Sequence, residues 1–229
     1  MFLLNGKGVG IIKEPKSTNF QILLSNSNYE IPNLQRDFDW KRKELEKFWA
    51  DAIDIYNDDI DEYFLGPMVF VEENTDKYQI IDGQQRLLTT SILASAIRDV
   101  LIKINEDPQQ TTTISINWIN QLLYTDVSAT GIGTTFRISP SELNERFYKD
   151  KIITPGNYNE KKAIVRQDDN SNQKILEAYK FFITKLTDEW RESERREKLP
   201  DFIERLIKAF VVIVIKVDSI EKGHRVFEL

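Results

Sequence analysis

The residues best suited to chemistry lie in one short run, Asp82-Gly83-Gln84-Gln85-Arg86. Alternating polar and apolar residues precede this run and a helical apolar pattern follows it, so we expect a strand that ends at Asp82-Gly83 and a helix that begins at once. A helix N-terminus presents unpaired backbone N–H groups and a partial positive charge, and both favour anions. Arg86 adds a planar cation suited to phosphate. The run therefore predicts a phosphate-binding turn for a nucleotide.

Each side chain of the turn has a role in this interpretation. Gly83 lets the backbone approach the phosphate closely, and the N–H groups of Gln84 and Gln85 hold the anion together with the Arg86 side chain. Asp82 would repel a phosphate, so we assign it to a Mg²⁺ ion, a water or a neighbouring arginine. If the nucleotide is hydrolysed, Asp82 and Arg86 are the candidate catalytic residues, in a cradle that is not a P-loop.

Two alternatives stay open for this segment. Asp82-Gly83 taken alone is also typical of an ordinary β-turn. Thr89 is a further candidate for nucleotide binding, but Thr89 and Thr90 could instead cap the helix or bond to its backbone.

A second polar cluster precedes the first predicted helix. Gln35 and Arg36 are candidates for nucleotide or DNA binding, with Arg36 across a cleft from Arg86; alternatively, Arg36 is a plain surface residue or an ion-pair partner of Asp82. Lys41 and Arg42 begin a helix, where positive charge is unfavourable, and this misfit indicates a phosphate partner. Gln35, Arg36, Lys41 and Arg42 are therefore the candidate DNA-binding residues.

The remaining periodicity predicts an α+β fold with a small mixed sheet and a substantial helical lobe. Residues 108–113 form a polar break, and Ser141 caps a short helix with Leu143 and Phe147 facing inward. Residues 154–172 form a polar loop, so we divide the chain into 1–156 and 157–229. The other predicted segments are an amphipathic helix over 45–56, strands over 64–71, 78–81, 134–138 and 211–217, a core helix over 87–101 and helices over 175–190 and 202–207.

Composition excludes several classes of protein. The chain has 229 residues, a net charge of −6, no cysteine and one histidine, His224. Disulfides, thiolate metal sites and nuclease centres that need several histidines are therefore excluded. No stretch approaches about 18 consecutive apolar residues, and the N-terminus lacks a signal peptide, so we expect no membrane span and a cytoplasmic setting.

Three segments together resemble the N-terminal domain of the GmrSD family. They are Ile31-Pro32-x-x-Gln35-Arg36-x-Phe38-x-Trp40, Phe64-Leu65-Gly66 and Asp82-Gly83-Gln84-Gln85-Arg86-Leu87-x-Thr89, and the closing Val226-Phe227-Glu228-Leu229 is also similar. The family usually carries an aromatic residue before its Gln-Arg pair, where this chain has Leu34. Phe38 and Trp40 are expected to be core anchors.

The resemblance implies a fold like that of ParB and sulfiredoxin, with the Asp-Gly-Gln-Gln-Arg turn as the nucleotide-phosphate site. It also implies a role in modification-dependent restriction and anti-phage defence, with modified DNA as a partner and a C-terminal HNH-type nuclease domain that does the cutting. The ligand would be an NTP, GTP or another, with Mg²⁺.

Residues 220–229 read as the first turns of a helix without a stop signal, so we expect a longer protein in which a nuclease domain follows. The leading hypothesis is an NTP-binding sensor, with or without slow hydrolysis of its nucleotide. The alternatives are a DNA-binding module that reads modified DNA without a nucleotide, and an adaptor that works through protein contacts alone.

Overall fold

The computed structural model describes residues 15–105, 110–126, 134–156 and 170–225. Within these residues the strands are β1 (Lys16–Asn19), β2 (Asn28–Glu30), β3 (Tyr63–Asn74), β4 (Lys77–Asp82), β5 (Tyr124–Asp126), β6 (Thr134–Phe136), β7 (Ile138–Ser139) and β8 (Phe210–Val217). The helices are α1 (Phe20–Asn26), α2 (Arg42–Asn57), α3 (Gln84–Ile104), α4 (Gln110–Leu123), α5 (Glu142–Phe147), α6 (Asn170–Glu189), α7 (Glu192–Ala209) and α8 (Ile220–Arg225), with a π-helical turn over Tyr148–Ile153.

Six strands form one mixed sheet in the order β1-β8-β3-β4-β2-β7, and β5 and β6 form a separate antiparallel pair. β3 pairs antiparallel with β4, whereas β8 lies parallel to β3 and β2 lies parallel to β4. This arrangement confirms the predicted α+β class. The two strands predicted over residues 64–71 and 78–81 are confirmed as β3 and β4, and they lie at the centre of the sheet.

α3 is the central helix of the helical side. Nearly every residue from Leu87 to Leu101 is buried, which explains why its sequence is apolar on most of its faces. It packs against α4, α6 and α7. Because α3 is enclosed by other helices, its first turn is held in a fixed position relative to the sheet.

The two segments predicted on either side of residue 156 share this sheet. β8 comes from the second segment and pairs with β1 and β3 of the first. The division of the chain stays a prediction, but the described parts of the two segments form one continuous hydrophobic core.

The structure corrects three local expectations. Residues 110–123, predicted to be polar and mixed, form α4, because Ile119, Leu122 and Leu123 face the core and tertiary packing outweighs weak local propensity. Leu143 is 78% exposed instead of inward. The strand predicted over 134–138 is two strands, β6 and β7, which belong to different sheets.

A buried polar network joins α3 to the π-helical turn. Arg98 and Asp99 form an ion pair with both side chains fully buried (Nη2 to Oδ1, 2.9 Å). Arg98 also donates to the carbonyls of Ile152 and Ile153, and the Tyr179 hydroxyl donates to Asp99 at 2.7 Å. A π-helical turn departs from ordinary helical hydrogen bonding, and here Arg98 supplies donors for its last two carbonyls.

None of the helices in the described ranges combines the length and apolar character needed to cross a membrane.

We expect Arg98→Met to lower the free energy of unfolding by about 3–5 kcal/mol, because it leaves the Asp99 carboxylate buried without its cation. Urea denaturation followed by circular dichroism measures this change. The exposed Arg146→Ala is the control and should change stability by less than about 1 kcal/mol. The double variant Arg98→Met/Asp99→Asn should recover part of the loss; equal stability of Arg98→Met and the wild type would contradict this account.

Candidate active site at the start of helix α3

The turn between β4 and α3 has the predicted form. β4 ends at Asp82, Gly83 has a left-handed φ of 99°, and α3 begins at Gln84. A Cβ atom at Gly83 would lie 2.5 Å from Cε of Met68 on β3. Glycine is therefore required here both by the backbone conformation and by the close approach of the neighbouring strand.

The Arg86 side chain also holds a bend of the chain at Gly66. Its Nη1 donates to the carbonyl of Leu65, and its Nη2 lies 2.7 Å from the carbonyl of Pro67 and 3.1 Å from Oδ2 of Asp82. Gly66, between the two carbonyls, has a φ of 100°, and a Cβ atom there would lie 2.7 Å from Arg86 Nη1. The Phe64-Leu65-Gly66 segment and the Asp-Gly-Gln-Gln-Arg turn are thus joined directly by one guanidinium group.

Burial lowers the pKa of Arg86, and the charge of Asp82 opposes that change. Arginine nevertheless stays protonated in proteins. Asp82 therefore has the neighbouring arginine that the sequence offered as one alternative for it, and that arginine is Arg86, not Arg36.

Gln84 and Gln85 hold the segment 36–39 against the start of α3. The amide of Gln84 donates to the carbonyl of Arg36 at 3.1 Å. The amide of Gln85 donates to the carbonyl of Asp37 at 2.9 Å, and its oxygen accepts from the N–H of Asp39 at 3.0 Å. Both glutamines are only 5% exposed. Their side chains therefore satisfy backbone groups of a segment that has no regular secondary structure of its own.

The opposite side of the segment is held by residues from much later in the chain. The Ser141 hydroxyl lies 2.7 Å from Oδ1 of Asp37, and the ammonium group of Lys174 lies 2.5 Å from Oδ1 of Asp39. The bond from Lys174 lowers the pKa of Asp39. The buried amide of Asn144 supports Ser141 and Ser171 next to this segment.

Sequence reasoning missed Ser141, Asn144 and Lys174 as supports. They lie more than one hundred residues from the segment that they hold, and no local pattern links the two. The expectation that Phe38 and Trp40 anchor the core is confirmed, since Phe38 is 2% exposed and Trp40 packs against the main core.

Gln35 and Arg36 lie at the edge of this rigid frame. Arg36 is exposed, and its side chain makes no ion pair with any residue that the structure describes. Nε2 of Gln35 is buried, yet it has no hydrogen-bond partner among the described residues. The frame therefore presents a cation and an amide donor that have no partner among the described residues.

Thr89 and Thr90 differ in their hydrogen bonding. The Thr90 hydroxyl donates to the carbonyl of Arg86 at 2.9 Å, which is the internal helix bond considered from the sequence. Thr89 is fully buried, and its Oγ1 has no partner in the described part of the chain. The assignment of Thr89 to nucleotide binding stays a prediction.

The structure also bears on metal binding and on the other basic candidates. The described ranges contain no group of three His, Cys, Asp or Glu residues that could hold a metal ion. Lys41 and Arg42 are exposed at the start of α2, as expected, and Arg42 pairs with Glu46. The His224 side chain lies outside the described residues.

Comparison with known proteins gives one result. A family model described as "GmrSD restriction endonuclease, N-terminal domain" matches residues 20–229. A search of curated proteins finds no match. The matched range includes all three segments that carried the resemblance in the sequence.

We expect Gln85→Met to lower the free energy of unfolding by about 1–3 kcal/mol, because the Asp37 carbonyl and the Asp39 N–H then lose their buried partner. Amide hydrogen exchange monitored by NMR should show faster exchange at Asp39. The control is Gln173→Met, whose amide makes only an exposed contact to Glu177. Unchanged exchange at Asp39 would mean that Gln85 does not hold the segment.

Proposed function

Because the chain belongs to the N-terminal domain family of the GmrSD restriction endonuclease and so acts in a restriction system, we propose that it is the NTP-binding sensor of that system. The triphosphate binds where the segment 35–36, the start of α3 and the bend at Gly66 meet. Binding there controls the nuclease that cuts DNA.

The observation that supports this proposal most directly is the unpartnered amide of Gln35. A buried donor without an acceptor costs about 1–3 kcal/mol, and a bound ligand, ion or water is one way in which native proteins satisfy such a group. The neighbouring Arg36 makes no ion pair with a described residue and lies on a segment fixed from both sides. A phosphate group would supply the acceptor and the negative charge that these two side chains lack.

In this proposal the two arginines have different tasks. Arg86 already uses its guanidinium group on two carbonyls and on Asp82, so it positions the turn and adds positive charge behind it. Arg36 contacts the ligand. The phosphate also faces the N-terminal end of α3, whose partial positive charge favours an anion.

Magnesium fits this arrangement only as part of the nucleotide complex. Asp82 is partly exposed and offers one carboxylate. Mg²⁺ in nucleotide sites is commonly held by one or two carboxylates, phosphate oxygens and waters. Asp82 would supply the protein ligand, and hydrolysis, if it occurs, would draw on the charge of Arg86 and on a water held near Asp82.

Calorimetry with ATP, GTP, CTP and UTP in the presence of Mg²⁺ tests the proposal. We expect one or more nucleotides to bind the wild type, and Gln35→Met and Arg36→Ala each to weaken binding at least tenfold. The reason is that a hydrogen bond to a charged group contributes about 1.5–3 kcal/mol. Thermal unfolding of Gln35→Met should occur at the wild-type temperature or above it, because the buried amide is unpaired in the free protein.

Two controls separate binding from folding. Gln85→Met carries the same substitution at a paired glutamine and should lose stability, whereas the exposed Lys208→Ala should change neither property. Absence of binding by all four nucleotides to a folded wild-type chain would overturn the proposal. It would favour the alternative of a DNA-binding module without a nucleotide.

A further inference from the structure

A groove of about 380 Å³ lies between the start of α2 and the outer face of α6. Trp40, Lys41 and Arg42 line it on one side, and Lys180, Phe181 and Lys185 line it on the other. The two sides are well over one hundred residues apart in sequence. Sequence reasoning singled out Lys41 and Arg42 but not their partners on α6.

The groove concentrates positive charge in an acidic protein. Four cations line it against two carboxylates, Glu177 and Asp188, whereas the whole chain has a net charge of −6. Lys41, Lys180 and Lys185 form no ion pair with a described residue. Lysines elsewhere on the helices, such as Lys47 and Lys208, form an ion pair with a carboxylate one helical turn away. The three lysines of the groove, unlike Arg42, which pairs with Glu46, therefore keep their charge available for an external anion.

An apolar floor holds these cations in place. Leu45 and Phe181 are buried beneath them. The guanidinium carbon of Arg42 lies 4.9 Å from the centre of the Phe181 ring, and Nζ of Lys185 lies 5.7 Å from it. Cations over an aromatic face are attracted to it, and their methylene stems cover apolar surface. The aromatic ring thus brings the Arg42 and Lys185 cations to the same side of the groove.

We propose that this groove binds the phosphate backbone of DNA. A restriction protein acts on DNA, and a row of lysine and arginine side chains on two helices is the electrostatic signature of backbone contact. The groove is large enough for a phosphate and its sugar and too small for a duplex, so one strand enters along its edge. The choice of DNA rests on the family alone and is independent of nucleotide binding.

The groove and the proposed nucleotide site lie on one continuous segment. Asp39 bonds through its N–H to Gln85 at the start of α3 and through its carboxylate to Lys174 on α6. The next residue, Trp40, lines the groove. DNA in the groove therefore sits one residue beyond the frame that positions Arg36.

The test is fluorescence anisotropy with a short labelled DNA duplex, measured over a range of salt concentrations. Lys180→Gln/Lys185→Gln should weaken binding by at least tenfold at about 0.1 M salt and reduce the slope of log K against log salt by about 1 for each lysine. Glu177→Gln/Asp188→Asn should strengthen binding, because it removes the opposing charges. Lys208→Gln is the matched control on another helix.

Each outcome decides the matter. Loss of DNA binding in the lysine variant, with unchanged thermal unfolding and unchanged nucleotide calorimetry, supports the groove as the DNA site. Equal DNA affinity of the lysine variant and the Lys208→Gln control overturns it, as does loss of nucleotide binding with DNA affinity unchanged, which would make the groove a nucleotide site. Absence of DNA binding by the folded wild type also overturns it, whatever the calorimetry shows for the nucleotide.

Discussion

The whole site depends on how the backbone of residues 36–39 is satisfied. This segment belongs to no helix or strand, so its carbonyl and N–H groups have no hydrogen-bond partners from regular secondary structure. Burying them without partners would lower the free energy of unfolding. Gln84 and Gln85 supply those partners from the first turn of a helix that is itself enclosed by the core. The segment is consequently fixed to the start of α3 by three hydrogen bonds, even though it has no regular secondary structure. The polar turn over residues 82–86, which the sequence suggests as a ligand site, therefore serves first to fix the neighbouring segment 36–39.

These hydrogen bonds change how the side chains of the turn are understood. Gln84, Gln85 and Arg86 are all used within the fold, and Gly66 and Gly83 make room for close approach. The Arg36 guanidinium and the Gln35 amide, on the segment that they hold, have no partner in the described part of the chain. The polar groups of the turn therefore provide the frame, and in the proposed function the groups that they position contact the ligand. Rigid support of this kind favours binding because little side-chain or loop ordering is left to lose.

Local pattern predicted much of the fold but less of the site. The hairpin of β3 and β4, the sharp turn at Asp82-Gly83 and the amphipathic α2 and α6 follow from periodicity and turn chemistry in neighbouring residues. α4 was missed because its threonines and isoleucines favour no single structure, and only packing against α3 decides the outcome. The contact of Ser141 with Asp37 and of Lys174 with Asp39 could not be predicted, since each joins residues brought together only by the complete fold. The turn was located correctly from the sequence, whereas the tasks of its side chains depended on distances that no spacing reveals.

Asp39 is the residue through which the two proposed sites are physically connected. Its N–H is held by Gln85 and its carboxylate by Lys174, so the peptide on its N-terminal side belongs to the α3 frame and the one on its C-terminal side leads into the groove at Trp40. Lys174 and Lys180 belong to the same helix, but six residues separate them by about 9 Å along its axis and place them on different faces. A phosphate at Lys180 would therefore not replace the Asp39 carboxylate at Lys174. The physical connection between the two proposed sites is the backbone from Asp39 to Trp40, because its first residue is held by Gln85 and Lys174 and its second lines the groove.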